Sequence, residues 1–135
     1  MKKDIKMPPV KDVAIAIVSE TNEADQKEWY VYLVNMKAKP ITDVIINSKG
    51  YGTIDEEQIK TSTLRHYFAT VDAKAFVKVE TIMENLFGLN NEFWLSFYIG
   101  SQIYDQKFVF LPETIKEDNF THIPVLDKRG VMIGH

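Results

Sequence analysis

The chain has 135 residues, 16 lysines and arginines against 19 acidic residues, a formal net charge of −3 and no cysteine. That length suits one domain, expected to span residues 1–135, with enough chain to bury a core unaided. The composition excludes a disulfide scaffold, thiolate metal sites, a cysteine nucleophile and a broad cationic field for nucleic acid or anionic lipid. Hydrophobic content of 45% and charged content of 26% also exclude intrinsic disorder.

The N-terminal residues 1–10 read as a flexible segment. Lys2, Lys3, Lys6 and Lys11 form the basic cluster, punctuated by Asp4 and Asp12, and read as solvated. Val13–Val18 is too short for a signal-peptide core or a membrane span, so the expected location is cytoplasmic, with no membrane partner.

Along the chain, runs of seven to nine β-branched and aromatic residues alternate with polar breaks, the pattern of an all-β sandwich or barrel. Asp12–Ser19 is apolar on both faces and calls for cover on both sides. Glu28–Asn35 places Trp29, Val31 and Leu33 inward, with Trp29 in the inter-sheet core, and turns Tyr30 and Tyr32 outward. Asn35–Pro40 is a loop. Asp43–Ser48 is a strand broken by Lys49-Gly50-Tyr51-Gly52, and Asp55-Glu56-Glu57 is an exposed excursion.

Thr61–Thr70 is again β-prone. Residues 73–89 admit two readings: an amphipathic helix near 73–87, which would make the fold α+β, or a strand over 74–82 followed by a short helical turn. The strand is preferred, with Val77 and Val79 inward and Lys78 and Glu80 outward. Phe93–Ile99 and Gln102–Phe110 form a hairpin through Gly100-Ser101, whose leading glycine fits a type II′ turn. A last short strand is expected at Ile123–Leu126. The sum is an antiparallel β-sandwich of about seven strands, immunoglobulin-like in arrangement.

Catalytic signatures are missing: the sequence holds no nucleophile elbow, no phosphate-binding loop and no zinc spacing among His66, His122 and His135. No cofactor or metal is therefore expected. The richest polar stretch, Lys60-Thr61-Ser62-Thr63-Leu64-Arg65-His66, lies near Lys49 and Tyr51 in sequence. It supplies cations and hydroxyls suited to a small anion or phosphoester, with Lys49, Tyr51, Lys60, Thr63, Arg65 and His66 as the ligand-binding candidates. Strand alternation limits that set, because Thr63 and Arg65 share one face and His66 the other. A second group, Tyr30, Tyr32, Trp94 and Tyr98, offers outward aromatics for contact with a protein, the simplest partner being another copy of the chain. The same aromatics without a basic groove disfavour nucleic acid.

The wording Ser48-Lys49-Gly50-Tyr51, Lys60-Thr61-Ser62-Thr63 with Arg65-His66, Asn91-Glu92-Phe93, Phe108-Val109-Phe110 and Ile123-Pro124 resembles a group of short bacterial proteins of unassigned function. Some of that group carry the label of a phenylalanyl-tRNA synthetase alpha subunit. A catalytic alpha subunit is several times longer and needs ATP- and amino-acid-binding motifs that this chain lacks. The resemblance implies a family without assigned chemistry; its label alone implies an RNA-associated accessory. The expected function is a non-enzymatic, self-associating interaction module, with the small-anion binder as the alternative.

Overall fold

A computed structural model describes residues 7–135, and ten antiparallel strands form two five-stranded sheets packed face to face. Sheet I joins β6 (Ala75–Ile82), β2 (Lys27–Asn35), β1 (Val13–Thr21), β10 (Lys128–Gly134) and β9 (Thr121–Ile123), in that order across the sheet. In sheet II the long strand β3 (Ile41–Ile54) pairs along one edge with β4 (Glu57–Lys60) and β5 (Leu64–Val71) in succession. Its other edge pairs with β7 (Asn90–Ile99), and β8 (Gln102–Phe110) lies beyond. The fold is an all-β sandwich.

Alternation explains most of these elements. From sheet I, Val13, Ile15, Ile17, Trp29, Val31 and Leu33 point into the inter-sheet core. From sheet II, Ile46, Phe93, Leu95, Phe97, Phe108 and Phe110 meet them. Truncating one such phenylalanine to alanine typically costs about 3–5 kcal/mol, so this layer carries the fold. The double-sided strand β1 is covered as expected: Val13–Val18 are fully buried, Ala16 and Val18 lying under Val125, Leu126 and Ile123 on the outer side of sheet I. Trp29 fills the core, edge-on to Phe87 at 5.1 Å, with its indole N–H donating to Glu84 at 2.7 Å.

The contested segment is a strand followed by a single 3₁₀ turn at Glu84–Leu86, not a helix over 73–87. The Gly100-Ser101 turn is as read: only the glycine has a positive φ, +60°, which is the type II′ pattern.

Four expectations need correction. Among the described residues the strand count is ten rather than about seven. Lys49–Gly52 does not break β3, because Tyr51 and Gly52 continue the ladder opposite Lys60 and Ile59, and the glycines admit Leu89 against the backbone. Ile123–Leu126 is mostly a turn: Pro124 has no donor, and Val125 and Asp127 both take positive φ. The last strand is instead Lys128–Gly134, along β1. Finally, Glu80 faces inward. Val79 is the extra residue of a β-bulge opposite Val31/Tyr32, so the pairing steps from Tyr32–Lys78 to Val31–Glu80, and Glu80 takes the core face that its sequence parity denied it.

Of the expected flexible segment 1–10, residues 1–6 lie outside the described residues, as do Lys2, Lys3 and Lys6 of the basic cluster. Val10 packs against the core. Among the described residues no helix is long and apolar enough to cross a membrane.

Candidate functional site

Strand alternation divides the six ligand-binding candidates between the two faces of sheet II. Lys49 and Tyr51 lie on the outer face of β3. Lys60 joins them as the cross-strand partner of Tyr51, and Arg65 as the partner of Asn47. Thr63 lines a shallow hollow of 220 Å³ on that face with Asn47, Lys49, Glu92 and Trp94. His66 points the other way, toward sheet I, as the partner of the buried Ile46. The six therefore do not converge on one pocket, since neighbours on a strand cannot share a face.

Glu92 decides the electrostatics of the outer hollow. It is buried, lies 3.8 Å from the Lys49 ammonium, and accepts from the Tyr51 hydroxyl at 3.4 Å. Burial, and then the Glu92 charge, push the Tyr51 phenol above its ordinary pKa. The carboxylate thus takes up the cation that an anionic ligand would need.

The aromatic candidates also divide. Trp94 and Tyr98 stand exposed on the outer face of β7, 42% and 37% accessible. The Trp94 indole is fixed there, donating to both Asp105 oxygens at 3.0 Å beneath the Lys107 ammonium, 4.4 Å from the ring. Tyr67, opposite Ile45 on the same face, is more exposed still at 58% and donates to Asp43 at 2.7 Å. That hydrogen bond is the main reason its phenol titrates above the ordinary range. Tyr67 is absent from the sequence-derived set, although period-two alternation from Arg65 was signal enough to find it.

Tyr30 and Tyr32 lie on the outer face of sheet I, on the opposite side of the sandwich. Tyr32 is buried rather than outward and accessible, edge-on to Phe76 and donating to Glu20 at 2.6 Å. Tyr30 is half-buried, bonded to Glu28 and covered by the Lys78 ammonium at 3.7 Å. Folding thus engages these two tyrosines in local packing and leaves Tyr67, Trp94 and Tyr98 to solvent.

Inside the sandwich, at the seam where β5 approaches β6, Ser48 and His66 of sheet II reach the carboxylate of Glu80 from sheet I. The Ser48 hydroxyl donates to Glu80 Oε1 at 2.7 Å, and His66 Nε2 lies 2.7 Å from the same oxygen. Glu80 is the hub, and the serine hydroxyl is engaged with the carboxylate rather than with an imidazole. The serine–imidazole contact of a Ser–His acyl-transfer site is therefore not formed here. Sequence reasoning set Glu80 outward and did not single out Ser48, because nothing local announces the bulge at Val79. Among the described residues, no group of three His, Asp or Glu is placed to hold a metal ion.

Comparison with protein-family models, curated proteins and solved structures finds no match to this chain.

Proposed function

We propose that the protein is a non-enzymatic interaction module, an immunoglobulin-like sandwich that self-associates through the outer face of sheet II. The observation that carries this reading is the alignment of Tyr67, Trp94 and Tyr98 on one exposed sheet face. Tyrosine and tryptophan are the side chains that contribute most when a contact excludes water. The face also carries both signs of charge, Arg65 and Lys107 with Asp43 and Asp105, as a patch that must complement itself about a two-fold axis requires.

The immunoglobulin-like part of the proposal rests on strand neighbours. β2 lies between β1 and β6, and β3 lies between β5 and β7 with β8 beyond, which follows the A-B-E and C′-C-F-G neighbours of that arrangement. A cytoplasmic location and membership of the short bacterial group that the sequence resembles belong to the same proposal. The small-anion alternative is the weaker reading, because Glu92 sits within the hollow that Lys49 and Thr63 line.

Sedimentation velocity at tens of micromolar tests the proposal. The wild-type chain is expected to sediment as a dimer, and Trp94→Ala with Tyr98→Ala to return it to monomer. Losing about 2 kcal/mol at such a contact weakens association about thirtyfold. Tyr30→Ala, on the other sheet, should leave the dimer intact. A wild-type chain that stays monomeric across that range overturns the reading.

A further inference from the structure

The seam beside Glu80 opens into a cavity of about 270 Å³ that the proposed interaction face does not use. Its polar wall holds Ser48, Thr61, Ser62, Glu80 and Asn91. The apolar wall holds Leu64, Ile82, Met83, Leu86 and Phe93. Leu64 and Met83 are 48% and 68% exposed, so the mouth of the cavity is greasy and open to solvent.

On the polar wall the Glu80 carboxylate keeps one acceptor that no protein donor among the described residues fills. Both protein donors, Ser48 and His66, meet Glu80 at Oε1; among the described residues, Oε2 accepts no hydrogen bond. Lys49 also lines the cavity, but its ammonium turns to Glu92 on the far side of the sheet, and the Lys78 ammonium lies over Tyr30 on the outer face of sheet I. A half-buried carboxylate with an unshared oxygen beside an apolar wall favours a donor that carries positive charge, since a charge-assisted hydrogen bond is about twice as strong as a neutral one. It disfavours an anion by direct repulsion. The bulge at Val79 aims this carboxylate inward, and β-bulges are enriched where a side chain must be redirected toward a site.

We propose that the seam cavity binds small amines: a primary ammonium group hydrogen-bonded to Glu80 Oε2, with a compact apolar body against Ile82, Met83, Leu86 and Phe93. Ser48 and His66 are positioning residues that hold the carboxylate. The volume is near the lower limit for small-molecule sites, which restricts the ligand to one ring or a short branched chain.

The test is a methyl-resolved NMR titration of the full chain with 2-phenylethylammonium, using 2-phenylethanol and phenylacetate as the neutral and anionic counterparts. A saturable shift of the Met83 methyl with the amine is expected, with the alcohol at least about tenfold weaker and the acid without effect. Glu80→Gln should bring the amine down to the affinity of the alcohol. Leu64→Trp, a change at the exposed mouth, should abolish both and serves if Glu80→Gln does not fold. A Met83 methyl unmoved by millimolar amine, or one shifted equally by all three compounds, overturns the proposal.

Discussion

Asn35 shows how much one buried amide can hold. It is fully buried at the end of β2, where its Nδ2 donates to the carbonyls of Lys39, Val71 and Asp72 and its Oδ1 accepts from the Lys37 amide. The side chain ties the β2–β3 loop to the β5–β6 turn. Asn35→Ala removes the donor from the buried Val71 carbonyl and from the part-buried carbonyls of Lys39 and Asp72, and urea denaturation should show a loss of about 1–3 kcal/mol. Glu20 gives the pH dependence. Burial raises its pKa, but hydrogen bonds from Lys128 and Tyr32 and the nearby Lys128 and Lys78 charges more than offset this, and the net shift is downward. A carboxylate with a lowered folded pKa adds stability above its unfolded pKa of about 4.3 and loses it as pH falls through the folded value. Acid titration followed by circular dichroism should therefore show Lys128→Met unfolding at higher pH than wild type. Asn35 was legible only as a residue tolerant of turns, and the partners of Glu20 not at all, because Lys128 stands 108 residues away in sequence.

At the scale of elements, turn chemistry and alternation act together. The β3–β4 hairpin turns through Asp55 and Glu56, both at positive φ, 50° and 66°, with Ile54 opposite Glu57. That is the type I′ geometry, which favours Asn-Gly, so the second position is strained for glutamate. Glu56→Gly should raise the thermal midpoint, worth about 0.5–1 kcal/mol. Where a local signal of this kind exists, the element was readable: the Gly100-Ser101 hairpin, the double-sided β1 and the inward Trp29 all follow from residue type and period. Where pairing across the sheet overrides the local signal, it was not. The glycines at 50 and 52 read as a break yet sit in a ladder, and the Val79 bulge reverses the face of Glu80 without any glycine or proline to mark it.

For the whole molecule, the largest buried side chains come from both sheets, with Phe93, Phe97 and Phe108 from one and Ile15, Ile17 and Leu33 from the other. Neither sheet can bury its apolar face alone, so both must form together. Equilibrium unfolding should be a single transition, with Trp29 fluorescence in a Trp94→Phe background and far-ultraviolet dichroism giving the same midpoint. Two separated transitions would contradict a shared core. The two faces outside that core have different fates. Sheet I is covered over most of its outer face by its own C-terminal turn and by tyrosine–carboxylate pairs, with Phe76 left exposed on the edge strand β6, whereas sheet II keeps three accessible aromatics, Tyr67, Trp94 and Tyr98.

By itself, the chain's wording determined the class of fold, because period-two alternation permits a buried face only when a second layer lies against it. It determined the type of most strands for the same reason. Tertiary structure alone decided which polar groups meet. Ser48, His66 and Glu80 lie on three strands of two sheets, and their convergence depends on sheet order, a one-residue bulge and the packing of the layers. Those are long-range relations, set by the free energy of closing the whole core, and no local window of sequence contains them.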